Sequence, residues 1–142
     1  MHTQRRHLGR RILPLALLLG LAGCGDETLT GPSAVQGGVW KLQTLQRGSA
    51  AAVTVTQPER YTIEFLASGQ LAVKADCNTC GGPYTLDGSS LHVGGLSCTR
   101  VACPADSLDT DFVLVLTAAQ THGVEDEVLT ISSSAGEMTL RR

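Results

Sequence analysis

Aromatic side chains are scarce in this chain. Its 142 residues include one Trp, two Tyr and two Phe, against 16 Gly. A core with so few large rings is light, and the fold needs a further source of stability. Positive charge is scarce as well. Arg5, Arg6, Arg10 and Arg11 account for four of the 11 Lys and Arg; without them seven remain against 13 Asp and Glu, a formal charge of −6. That leaves no basic track for phosphates, so nucleic acid is not an expected partner. No glycine pattern has the strand-then-helix setting of a nucleotide cradle. Ser89 and Ser90 lie in a turn without the nucleophile-elbow pattern. Asp106, Asp109 and Asp111 lack the regular ligand series and turn glycine of a calcium loop. Long hydrophobic runs are missing too: Ile12 to Ala22 is far shorter than the ~20 residues a membrane-spanning helix needs.

That short run makes sense as part of a leader. Four arginines precede it, and Leu21-Ala22-Gly23-Cys24 follows. Basic, then apolar, then small residues is the order of a secretory signal. The last four residues resemble the bacterial lipoprotein signal, in which the cysteine is lipidated and becomes the first residue of the mature chain. Arg5-Arg6-His7-Leu8 also resembles part of a twin-arginine signal. The expectation is a signal peptide over 1–23 and a membrane anchor on Cys24. Gly25, in place of Asp, favours the outer membrane if the cell has two. About 119 residues remain, enough for one domain. Asp26 to Gly38 is polar and carries Gly, Pro and Ser without a hydrophobic period, so 24–38 is read as a flexible tether and 39–142 as the domain.

Within 39–142, periods of two dominate. Trp40, Leu42 and Thr44 share one face of a first strand. Tyr61, Ile63 and Phe65 share a face of a second. Leu71, Val73, Ala75 and then Cys77 share a face of a third. Tyr84-Thr85-Leu86 and Leu91-His92-Val93 flank Asp87-Gly88-Ser89-Ser90, a hairpin turn. Val128 to Ser132 and Met138 to Leu140 form a closing hairpin. One segment, Ser107 to His122, has helical spacing through Leu108, Phe112, Val115, Leu116 and Ala119. Asp106 or Ser107 can cap it, and Gly123 fits its end. The fold class is α+β: a small, mostly antiparallel, barrel-like β domain with one packed helix. Arg47 to Pro58 is long for a connection. It reads as an extra edge strand or, alternatively, as a partner-binding loop.

Trp40-x-Leu42, Phe65-x-x-x-Gly69-x-Leu71, Cys77-Asn78-x-x-x-Gly82-x-Tyr84, Leu91-x-Val93 and Thr99-x-x-Ala102-Cys103 together resemble the META domain, the HslJ-like family of bacterial envelope lipoproteins. The resemblance runs from about Trp40 to Arg142. Cys80 and Cys98 depart from its pattern, and Val101 stands where a methionine is common. The resemblance implies a compact β fold with a helix, an exported chain and a role linked to envelope stress or heat shock. It implies no catalytic site.

Cys77, Cys80, Cys98 and Cys103 admit three chemistries. In an oxidising compartment, an even set of cysteines forms disulfides. Centring the hairpin on Asp87 to Ser90 sets Tyr84 opposite Val93 and Cys80 opposite Ser97 or Cys98. Cys77 then comes near Arg100, a few residues short of Cys103. This register points to nested pairs, Cys80–Cys98 inside Cys77–Cys103. The resemblance also implies that Cys77 and Cys103 pair. The second chemistry is a Cys77-x-x-Cys80 dithiol, which needs a nearby helix terminus or cation to lower its pKa; acidic Asp76 stands there instead. The third is a four-cysteine zinc site. His92 reads as a solvated strand residue, and His122 as a cation suited to a helix end. The charged run Glu125-Asp126-Glu127 reads as a solvated turn, and Trp40 as core.

The expected function is a lipid-anchored, non-enzymatic domain of the bacterial cell envelope, on the periplasmic side or the cell surface. It would be monomeric, need no cofactor or metal, and bind an envelope protein or component. The alternatives are a periplasmic thiol oxidoreductase using Cys77 and Cys80, or an extracytoplasmic inhibitor or ligand-binding module working through 47–58.

Overall fold

The computed structural model describes residues 32–142. The expected leader, Cys24 and residues 24–31 of the expected tether lie outside the described residues. The chain runs through a short turn of helix α1 (Pro32–Val35), then β1 (Val39–Arg47), β2 (Val53–Thr54), β3 (Tyr61–Phe65), β4 (Gln70–Ala75), β5 (Asn78–Asp87), β6 (Ser90–Val93) and β7 (Ser97–Cys98). Helix α2 (Asp109–Thr117) follows, then β8 (Ala119–Glu125), β9 (Val128–Ser133) and β10 (Gly136–Arg141). Eight strands close an antiparallel barrel in the order β1-β3-β4-β5-β6-β8-β9-β10, with β10 returning to β1. Closure leaves the barrel few free edges. Two short strands hang on it: β2 pairs with β1, and β7 pairs with β5.

The period-two residues fill the barrel. Tyr61, Ile63 and Phe65 alternate inward on β3, and Leu71, Val73 and Ala75 do so on β4. β1 departs from simple alternation. Its register against β10 shifts between Leu42 and Thr44, so Trp40, Leu42 and Leu45 are buried while Thr44 is only half-buried. A bulge of this kind changes which face the following residues occupy. Thr44 instead hydrogen-bonds Thr139 across the pair, oxygen to oxygen at 2.6 Å.

Helix α2 sends Phe112, Val115 and Leu116 into the core. Burying a side chain of that size stabilises by about 1.5–3 kcal/mol. The Phe112 ring meets Tyr61 edge-on, centroids 5.7 Å apart. The Tyr61 hydroxyl accepts the Leu108 N–H at 2.9 Å, tying the helix start to β3. The hydroxyl of Ser107, expected as a cap, accepts the Asp109 N–H at 3.2 Å.

Four further expectations are corrected. The helix stops at Thr117 instead of running to His122: Ala119, His122 and Val124 turn inward from β8, the strand that closes the barrel between β6 and β9. Barrel closure overrides the helical spacing there. A register shift between Ala119 and Thr121 brings His122 to the inner face, so it is buried within a strand rather than placed at a helix end. The segment read as the end of a tether is packed. Ala34 and Val35 are buried, the Val35 carbonyl accepts the Trp40 indole N–H at 2.7 Å, and Gln36 bridges Phe65. The ordered chain thus starts before Val39. Finally, Cys77 is exposed and does not continue the inner face of β4. The chain turns at Asp76, which takes the left-handed conformation at φ 59°, and Asn78 opens β5.

Candidate functional site

The structure pairs Cys77 with Cys103 and Cys80 with Cys98. Cys77 and Cys80 therefore have different partners, and a dithiol centre between them is not what the chain builds. Cys80 and Cys98 sit directly opposite on β5 and β7, with Cα atoms 4.1 Å apart. The next pair along exchanges a backbone bond, Thr99 N–H to the Thr79 carbonyl at 3.0 Å. Antiparallel pairs alternate between hydrogen-bonded and non-bonded, and the non-bonded ones come closest. Cys80–Cys98 is such a close pair. Cys77–Cys103 joins the turn after β4 to the segment before α2, with Cα atoms 5.5 Å apart.

Asn78 lies between the two bridges and is buried. Its Oδ1 accepts the Val101 N–H at 2.8 Å and the Thr99 hydroxyl at 3.0 Å. Its Nδ2 donates to the Val101 carbonyl at 3.1 Å and reaches Cys103 Sγ at 3.3 Å and Asp109 Oδ2 at 3.4 Å. One carboxamide thus fastens the 99–103 segment to β5 and to the first turn of α2. Asn78 and Gly82 both lie in β5. Gly82 has its own reason: a Cβ there would fall 2.6 Å from the Gly95 carbonyl oxygen.

A second polar clamp lies next to the first. Arg60 grips Asp76 through two bonds, Nε to Oδ1 at 2.7 Å and a terminal nitrogen to Oδ2 at 2.5 Å. This paired bond holds the Asp76 carboxyl below its ordinary range, with a hydroxyl bond from Ser107 adding to the effect and burial opposing it. The same bond raises the already high pKa of Arg60. Asp106 approaches Arg60 at 3.7 Å. The first turn of α2 is also tied to the end of β1 by an Arg47–Asp111 ion pair.

Between the 96–102 segment and α2 lies a groove of about 770 Å³. Ala75, Asn78 and Cys80 form its floor, Leu96 and Cys98 to Ala102 one wall, and Thr110, Val113, Leu114 and Thr117 the other. Among the described residues, no group of three or more His, Cys, Asp and Glu side chains could hold a metal ion. No helix among them is long and apolar enough to cross a membrane. His92 is exposed on β6. His122 is buried, which lowers its pKa below the ordinary 6.5, while a hydrogen bond with the Ser89 backbone acts the other way. In the Arg47 to Pro58 segment, Val53 and Thr54 pair with Leu45 and Thr44 as an edge strand; both are exposed, while the next residue, Val55, is buried in the core.

The META domain profile matches residues 33–142. The chain belongs to the META domain family. Solved structures share the fold of this META domain. An NMR structure of a protein from Burkholderia xenovorans superposes with a TM-score of 0.64 at 17% identity, covering 90% of this chain and 98% of the other. A crystal structure of a DUF4847 family protein from Bacteroides vulgatus gives 0.56 at 13% identity, covering 77% and 94%. A further NMR structure gives 0.60 at 20% identity, covering 80% and 95%. No curated protein matches the chain. In the META domain seen here, Cys77-Asn78 and Thr99-x-x-Ala102-Cys103, far apart in sequence, meet at Asn78. The groove itself escaped sequence reasoning, because its floor at Ala75, Asn78 and Cys80 meets its walls only in the fold.

Proposed function

We propose that this META domain is a lipid-anchored, non-enzymatic module of the bacterial cell envelope that binds an envelope protein or component. One observation carries the non-enzymatic part: the polar and sulfur groups of the candidate site are spent on holding the chain. The cysteines bond each other, the Asn78 amide bonds Val101 and Thr99, and Arg60 bonds Asp76. What remains open is a groove with an apolar wall, which suits binding. The leader, with Leu21-Ala22-Gly23-Cys24, supports export and an acyl anchor on Cys24, with the outer membrane as its site in a diderm. Two cross-links suit an oxidising compartment. A role in envelope stress is what the family resemblance suggests.

Cross-linking capture in cells tests this reading. Full-length protein should sit in the membrane fraction and capture a defined envelope component. Cys24→Ser should leave the membrane fraction. A wild-type protein that stays in the cytosol, or that captures nothing above a scrambled control, contradicts the proposal. Val53 favours a second reading, the inhibitor or ligand module: it is 50% exposed on the β2 edge. Substitutions within 47–58 that keep stability but abolish capture would transfer the working surface to that loop.

A further inference from the structure

The outer edge of β7 borders the groove. β7 pairs with β5 alone and has no second partner strand among the described residues. β6 meets β8 at one register pair, Ser90 with Thr121. The hydrogen-bonding register fixes which way the β7 backbone points. Thr99 bonds Thr79, so the neighbouring Cys98 directs its N–H and C=O away from β5. Leu96 and Arg100 are the next positions of the same parity, about 6.8 Å away on each side along an extended chain. All three line the groove. Opposite them stand Val113 and Leu114 of α2. Two of the five large hydrophobic side chains that are exposed among the described residues, Val101 and Leu114, lie here, at 58% and 40% exposure. That concentration marks an apolar contact surface.

We infer that this groove accepts an extended peptide segment of a partner protein, added as a strand to the free edge of β7. The inference rests on the binding function proposed above and names its site. A row of backbone donors and acceptors selects an extended main chain, and apolar side chains at alternate positions fill the space against Val113 and Leu114. Charge sets the register. Arg100 is exposed and has no ion pair with a described residue, so it favours a carboxylate on the incoming strand. Asp109, held by Asn78 on the other side of the groove, disfavours one there. The two cross-links keep the edge in place before the partner arrives, which lowers the ordering cost of binding.

The test uses the mature, lipidated protein in micelles and a blocked hexapeptide probe of alternating threonine and valine ending in aspartate. Hydrogen exchange is read by mass spectrometry. With saturating peptide, exchange across 96–102 should slow at least tenfold. The same peptide N-methylated at alternate backbone amides should give no protection. Arg100→Gln should weaken binding about threefold, the scale of an exposed ion pair. Protection elsewhere, no protection at millimolar peptide, or equal binding of the methylated peptide would overturn the inference. If cellular capture persists while the peptide test fails, the binding function stands and the partner uses another face. If capture fails while the peptide binds, the site stands without the envelope function.

Discussion

Asn78 treats Val101 as a neighbouring strand would: its Oδ1 takes the Val101 N–H at 2.8 Å and its Nδ2 gives to the Val101 carbonyl at 3.1 Å. A side-chain amide is the one neutral group that can reproduce both halves of a peptide pairing. It fastens an irregular segment where regular pairing has ended.

Replacing Asn78 should therefore cost more than an average substitution. Asn78→Ala removes the partner of several polar groups at once. Val101 is exposed enough for water to satisfy its backbone, so the expected loss is about 1–3 kcal/mol rather than more. Thermal and denaturant unfolding measure it. An unchanged melting temperature would show that the 99–103 segment is held by the cross-links alone.

The two cross-links are nested, so each is worth less than its own loop predicts. Cys80–Cys98 closes a separation of 18 residues and Cys77–Cys103 one of 26. By chain entropy, either bridge alone would be worth about 3 kcal/mol. Each restricts a chain the other already restricts, so losing either one from the doubly bridged protein costs about 2 kcal/mol. Denaturant titration of the two double variants, Cys77→Ser with Cys103→Ser and Cys80→Ser with Cys98→Ser, tests this. Negligible losses in both would remove the cross-links from the stability account.

His122 predicts a loss of stability in mild acid. Burial lowers its folded pKa below 6.5, so below that pH the unfolded chain binds the proton more readily. The stability is fully present above pH 6.5 and declines as pH falls from there towards the folded value. His122→Gln should flatten the stability profile over this window. An unchanged slope would assign the acid sensitivity to another group.

Asp76 acts at lower pH. Its folded pKa is depressed below 3.8, chiefly by Arg60. Its contribution is fully present above pH 3.8 and is lost as pH falls through the folded pKa. Asp76→Asn should be less stable than wild type at neutral pH, and the difference should shrink below pH 4. A difference independent of pH would argue for a purely steric role.

Some of this was legible in the sequence, and the reasons are local. Tyr61-x-Ile63-x-Phe65 and Leu71-x-Val73-x-Ala75 announce strands because alternation and burial coincide. Asp87-Gly88-Ser89-Ser90 sets a hairpin register that extends to Cys80 and Cys98. The failures lie where the fold overrides local pattern. Ala119 and His122 continue a helical spacing, yet the barrel needs a strand there, and a register shift turns His122 inward. Thr44 keeps a period of two that a bulge in β1 breaks. Val35 and Gln36 look like linker because their partners, Trp40 and Phe65, make the contact only after folding. The groove joins a helix, a loop and β5 that no short motif links.

We propose an exported, lipid-anchored domain whose cysteines are structural. Mass spectrometry of the native protein, extracted from the envelope without reductant, tests it most directly. The account predicts a chain beginning at an acylated Cys24, with peptides joined as Cys77–Cys103 and Cys80–Cys98. An unprocessed, unacylated amino terminus, or four free thiols, would contradict it.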